Sequence, residues 1–237
     1  MTEQHDKGPL SMDYASRMAR AKEMGFDTDT VYYHGTSRVG GEGIKAFDST
    51  KWKDVAGYFS KDPDFASVSA EFGPNPTVYP VYIKKGRTLD LSSLGDSEGI
   101  THDQIIKKLT NSGVKFNESV IRSVPQHEIT GGQPVWSYLA KNDLIKDIKC
   151  SGFDGISFKE MGSVDVQHLL DTGQEIAKAT SNYISLNPAN IRSVNAAFDP
   201  RYLNSPKLMG DGLAIVGTEL EDHQSHQSQN DDFSLGM

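Results

Sequence analysis

The sequence predicts an α+β domain, and three observations carry that expectation. Short apolar runs with strand character fall into two groups, an early one at 31–91 and a late one at 153–198. Between them, residues 96–150 read mostly as helix, with apolar side chains at spacings of three and four. Strands at both ends of the chain and helices between them make a sheet that both ends complete.

Taken in order, residues 1–10 are polar and read as a flexible N-terminus. "SMDYASRMARAKEMGF" is a helix with Met12, Ala15, Met18, Ala19 and Met24 on one stripe, Ser11 as its cap and Gly25 as its stop. "VYYHG" at 31–35 is a short strand ended by glycine, followed by a glycine-rich loop over 37–53. "VAGYFS" at 55–60 is a second strand. "DPDFASVSAEFG" at 62–73 opens on Asp and Pro and carries Phe65, Ala66, Ser69 and Phe72 at helical spacing. "TVYPVYIKKG" at 77–86 is a strand in which Pro80 implies an edge or a bulge, and "TLDLSSLG" a short extended piece.

In the helical block, Ile100, Ile105, Ile106 and Leu109 mark one segment and Leu139, Leu144, Ile145 and Ile148 another, each ended by glycine. The turn-rich stretch between them reads as a surface excursion. "FDGISFKE" at 153–160 is a strand, followed by a polar insert to about 180. "NYISLN" at 182–187 and "IRSVNAAF" at 191–198 are the last strands. The composition then turns to Gly, Ser, Asn, Gln, His and Asp, with one apolar island, "LAIVG". The expected organisation is a domain over 11–202 with a helical insertion at about 96–150, and a mostly flexible tail over 203–237.

Composition narrows the function classes. The net charge of −8 lacks the basic field of a non-specific nucleic-acid binder. The single cysteine, Cys150, excludes an intrachain disulfide framework and a Cys-rich zinc site. "MTEQHDKGPLSMDYASR" has no apolar h-region, so no Sec signal peptide is expected, and no run approaches the ~18 apolar residues of a membrane span. The expectation is a soluble monomer without metal, membrane or nucleic-acid partner; export by a specialised route stays open. His223 and His226 in the tail, and the Glu-x-Glu of "TELE" at 218–221, read as solvated polar runs.

Two stretches could carry chemistry. In His34-Gly35-Thr36 a histidine meets a glycine that allows close backbone approach or a positive φ. The residues alone allow either a ligand contact or a turn histidine. In "GYFSKDP" an alternating strand sends Tyr58 and Phe59 to opposite faces, so that one packs in the core while the other lines a cleft. Two core or edge aromatics are the plainer alternative.

Five stretches in order, "MGFDTDTVYYHGTS", "GYFSKDPDFAS", "VYPVYIKKGRTLDL", "GFDGISF" and "NYISLNPANIRSVNAAFDP", span roughly 12–202. Together they resemble the ADP-ribosyltransferase superfamily of the diphtheria-toxin and poly(ADP-ribose) polymerase type. More narrowly, they look like the small transferase domains of phage polyvalent and head-morphogenesis proteins and of bacterial effectors. The resemblance implies a split antiparallel sheet around an NAD+ cleft and a His-Tyr-Glu motif. His34 would then hydrogen-bond a ribose hydroxyl, the Gly35 backbone would pair with the nicotinamide carboxamide beside Thr36, and Tyr58 would stack on nicotinamide. The family's second aromatic falls on Ser69, with Phe72 nearby to substitute. The family's glutamate falls on Asn182, which can hydrogen-bond a ribose 2′-hydroxyl but offers no charge to an oxocarbenium-like transition state. Asn182 suffices for mono-transfer, a carboxylate such as Glu160, Asp165 or Glu175 takes over, or the site binds without catalysis.

The implied activity is mono-ADP-ribosylation: cleavage of NAD+ and transfer of ADP-ribose to a protein acceptor, as in a bacterial effector or toxin acting in a host cell. The alternatives are an NAD+ glycohydrolase and a catalytically silent NAD- or partner-binding module. An RNA 2′-phosphotransferase on this fold would need basic residues that the acidic balance does not offer. The helical block at 96–150 and the insert at 159–180 are expected to border the cleft and select the target.

Overall fold

A computed structural model of the chain describes residues 10–37, 43–50, 55–71, 75–94, 100–125, 134–140, 143–164 and 177–210. Phe72, Asp165, Glu175, the N-terminal residues to 9 and the tail beyond 210 lie outside the described residues.

The first helix, α1 (Tyr14–Glu23), is capped by Asp13, whose side chain accepts from the Ser16 amide at 2.9 Å. Ser11, the expected cap, instead donates its hydroxyl to Asp13. Gly25 at φ +86° ends the helix as expected. Its inward stripe is Met18, Ala21 and Met24, which meet Phe26, Tyr82, Ala196 and Phe198, while Ala15 and Ala19 face solvent. The strands β1 (Asp27–Thr36) and β2 (Gly57–Ser60) follow. Next comes α2 (Pro63–Ala70), with Asp62 accepting from the Asp64 and Phe65 amides.

Both β3 (Thr77–Ile83) and β4 (Thr88–Asp90) precede the helical block. Pro80 sits inside β3, yet its carbonyl accepts from Val194 at 3.2 Å, just past the end of the ladder with β7. The missing N–H therefore faces a side where regular pairing has stopped. The block contributes α3 (His102–Asn111), α4 (Glu118–Arg122), α5 (Pro134–Leu139) and α6 (Leu144–Cys150). A Thr101–Gln104 capping box starts α3.

The late strands are β5 (Gly155–Val164), β6 (Ala177–Ser185) and β7 (Ile191–Ser193). The first two pair from Gly155↔Ser185 to Val164↔Ala177, with a bulge between Met161 and Ser163. Residues 159–164 and 177–180, the two ends of the polar insert expected at 159–180, are therefore strand.

The seven strands of the described residues join one sheet in the order β4-β5-β6-β2-β1-β3-β7. Early and late strands share this sheet, as the sequence predicts, and they interleave within it. The sheet is mixed rather than wholly antiparallel, because β4 and β5 run parallel. Their connection is the helical block, and a crossover of that length is what parallel neighbours require. The block covers one sheet face: Ile105, Leu109, Ile121, Leu139, Ile145 and Ile148 pack into one cluster with Ile156, Phe158 and Ile184. On the opposite face Phe47, Phe59, Tyr183 and Leu208 form a second cluster.

At the centre, β1 and β2 share a single bridged pair, Tyr33↔Ser60. Beyond it residues 34–36 of β1 pair only with β3. The sheet is thus parted where His34, Gly35 and Thr36 pass Tyr58.

Candidate active site

The site forms where β1, β2, β5 and β6 meet. Register places Ser60 opposite Asn182, Asn182 opposite Phe158, and Glu160 opposite Thr180. Since paired residues share a face and alternate residues return to it, Tyr58, Ser60, Asn182, Thr180, Phe158 and Glu160 all lie on the face that the helical block covers. Phe59 goes to the other face and is fully buried, while Tyr58 is half-buried. This is the division that alternation predicts.

A polar island sits within that apolar face. Glu160 is 2% exposed and Asn182 2% exposed. The Tyr58 hydroxyl donates to Glu160 Oε2, and the Asn182 amide Nδ2 donates to the same oxygen at 2.7 Å. Among the described residues nothing donates to Glu160 Oε1. On the same face, the buried Asn182 Oδ1 and Thr180 Oγ1 have no hydrogen-bond partner among the described residues. One carboxylate oxygen is fixed by two donors, and among the described residues the other receives none.

Burial pushes the Glu160 carboxyl up to about 7, against the opposing pull of the hydrogen bonds from Tyr58 and Asn182. The Tyr58 phenol is held well above its ordinary range, first by burial and then by the neighbouring carboxylate. At neutral pH Tyr58 is therefore a donor, and Glu160 lies near its midpoint.

His34 approaches from the other side of the sheet. Its Nδ1 lies 2.8 Å from the Tyr58 carbonyl oxygen, within the gap between β1 and β2. A carbonyl only accepts, so Nδ1 carries the proton and Nε2 is left as an acceptor. Burial lowers the imidazole's proton affinity, which favours this neutral form. Phe47 and Phe59 hold the ring, with centroids at 5.1 and 5.5 Å.

Of the two reasons the sequence offers for Gly35, the positive φ is absent. A Cβ there would lie 1.7 Å from the Ala66 carbonyl oxygen. The glycine lets α2 press directly on β1. Thr36 ends β1 opposite Thr77, and Ser69 lies in the last turn of α2.

The structure thus brings the Tyr58 and Asn182 side chains together on Glu160, one of the three carboxylates weighed, while His34 reaches only the Tyr58 backbone carbonyl from the opposite face. Sequence reasoning missed Trp136 and Thr180. Trp136, on α5, meets the Tyr58 ring edge-on at 5.5 Å. Glu160 did leave a signal: it continues the inward phase of Ile156 and Phe158, where a further apolar residue is expected. Trp136 left none, since nothing in the helical block's periodicity says which strand it will face.

Among the described residues no group of three or more His, Cys, Asp or Glu is placed to hold a metal ion, and no helix is long and apolar enough to cross a membrane. Comparison with protein-family models, with curated proteins and with solved structures returns no match.

Proposed function

We propose that the protein is an NAD+-dependent mono-ADP-ribosyltransferase acting on a protein acceptor, with Glu160 in the role of the family's glutamate. The observation that carries this reading is the convergence of the Tyr58 hydroxyl and the Asn182 amide on one oxygen of a buried carboxylate. It restores the negative charge that Asn182 alone lacks. The parted strands beside it, with His34 in the gap, fit the split sheet that the resemblance implies.

The chemistry asked of these groups is modest. The bond between ribose C1′ and the nicotinamide nitrogen breaks, and its electron pair leaves with the ring, which becomes neutral. An acceptor lone pair then forms the new bond at C1′ and the acceptor loses a proton. His34 Nε2 accepts from a ribose hydroxyl and orients the sugar. Glu160 Oε1 accepts from another, and its charge stabilises the cation developing at C1′. Preorganised stabilisation of this kind is worth roughly 3–4 kcal/mol for a single group. Tyr58 flanks the leaving ring and holds the carboxylate in place. The polymer-extending form of the reaction is not part of the proposal. The resemblance extends the reading to an effector delivered into a host cell.

The test is incubation with labelled NAD+, with and without bacterial and host-cell lysates, following labelled protein and free nicotinamide. The expected result is label on a lysate protein, abolished in His34→Ala and in Glu160→Gln. Nicotinamide release without labelled protein would instead establish a glycohydrolase. NAD+ binding without turnover would make this a silent module and overturn the proposal.

A further inference from the structure

We propose that residues 213–222 of the C-terminal tail dock on the sheet face opposite the helical block, where Glu219, Glu221 and Asp222 meet Lys61. The inference goes beyond the transferase reading and needs neither NAD+ nor Glu160. The core cluster on this face, which includes Tyr32, Phe47, Phe59, Tyr183 and Leu208, contains no helical residue. Alternation places Ser157 and Lys159 of β5, Ser181 of β6 and Lys61, just past β2, on the same face beyond Phe59 and Tyr183. All four are half-buried or exposed. Two lysines lie over the Tyr32 ring there, Lys61 at 5.9 Å and Lys85 at 5.6 Å. Lys85 also pairs with Asp27 at 2.7 Å. Lys61 is exposed, and its ammonium meets no carboxylate among the described residues.

The chain itself leads to this face. Leu208 belongs to the cluster, its amide donates to the Lys45 carbonyl at 2.8 Å, and Lys207 bridges Ala46. Gly210 is the last described residue, and residues 211–237 follow it. They open with an apolar run, Leu213, Ala214, Ile215 and Val216, and carry six carboxylate side chains with no lysine or arginine, most of the chain's net −8. From Leu208 to Glu219 an extended chain covers about 35 Å, whereas Phe59 and Lys61 lie only about 7 Å apart along their strand. The apolar run can therefore extend the cover that Leu208 begins, against half-buried Ile44 and Tyr79, before the carboxylates reach Lys61. One exposed ion pair is worth little. Three carboxylates on one anchored segment act at high effective concentration behind an apolar contact. The His34 ring rests on Phe47 and Phe59 of the same cluster, so the docked segment borders the imidazole.

The test is zero-length carbodiimide cross-linking of the full chain at low salt, read by mass spectrometry on an equal mixture of isotope-labelled and unlabelled protein. Lys61 should join Glu219, Glu221 or Asp222 within one chain. Its yield should exceed by about fivefold or more that of Lys45 and Lys207, which stand nearer the point of exit. Raising the salt to about 1 M, where the Debye length is about 3 Å, should remove the excess. Ile215→Asp should remove it too. Lys61→Glu together with Glu219→Lys and Glu221→Lys should link the same positions again, with the charges exchanged. Lys61 is exposed, so these changes leave the core clusters intact, and an unaltered circular-dichroism spectrum checks this. A yield at Lys61 no greater than at Lys45 and Lys207, or one indifferent to Ile215→Asp, shows that the tail does not dock and overturns the inference. Links found only between labelled and unlabelled chains show that a second copy occupies the face, and overturn it as well.

Discussion

Glu160 decides most of what this site can do, because its charge is poised by two opposing forces. Burial raises its carboxyl to about 7, and donation from Tyr58 and Asn182 pulls it back down. Under the proposed transferase function the ionised form is the useful one, so kcat for NAD+ cleavage should rise through a limb near pH 7. Removing a donor should move that limb upward: in Tyr58→Phe and Asn182→Ala the limb should shift to higher pH, with the largest rate loss at pH 6–7. A uniform loss at every pH would mean that these side chains do not act through Glu160. The same shift has a stability consequence of fixed sign. The folded value exceeds the ordinary 4.5, so the folded state favours the protonated carboxyl. That contribution is full below about 4.5 and is lost as pH rises through about 7, an effect of roughly 3 kcal/mol. Glu160→Gln cannot ionise and should escape the loss. Urea unfolding at pH 5 and pH 8.5 should show wild type losing about that much more than the variant, and parallel pH dependence would refute the assignment. Legibility at this scale followed alternation. Phe59 and Tyr58 were separable by phase alone, and Glu160 stood in an inward phase; choosing it over Asp165 or Glu175 required the pairing register.

Elements explain what single residues do not. Gly35 follows a histidine and could meet a ligand with its backbone, but the space of its missing side chain is filled by the approach of α2. Gly35→Ala should push α2 off β1 and cost about 2–3 kcal/mol, read as a lowered denaturation midpoint even without NAD+. A variant of wild-type stability and impaired NAD+ binding would return the glycine to a ligand role. α1 and α2, each with an apolar stripe and a capping side chain, were readable in kind, and α2 in its cap as well. The long hairpin of β5 and β6 was readable only in part. Residues 159–164 and 177–181 carry too many small and polar side chains to show alternation, so their strand character comes from backbone pairing with each other. The parallel placement of β4 beside β5 was likewise invisible, since it depends on which way the helical crossover returns.

Across the whole molecule, the early and late parts of the chain are tied by arginines that serve backbone carbonyls rather than carboxylates. Arg192, on β7, is 1% exposed, and its guanidinium donates to the carbonyls of Ala189, Ile191, Tyr202 and Leu203. From α1, Arg17 donates to Val194 and Ala196, and Arg20 to Ala197. Arg17 and Arg20 thus hold the segment after β7 against α1, while Arg192 ties the chain around β7 to the turn at 202–203, and together they help a chain with strands at both ends close one sheet. Composition could not show this, because a buried arginine reads in sequence as a surface charge. Arg192→Leu keeps apolar bulk but strips donors from carbonyls in and around a buried site, each worth about 1–3 kcal/mol when left unmet. The expected loss is about 3 kcal/mol or more. Arg192→Lys should recover little of it, since an ammonium is a point donor that lacks the planar fork spanning carbonyls on two separate turns. If the three arginines act as one clasp, the destabilised variants should open at both ends together. Hydrogen exchange should then speed up in α1 and in 191–203 by the same factor, while α3 and α6, packed on the other side of β5, keep their protection. Faster exchange confined to 200–203 would show instead that Arg192 pins only its local turn.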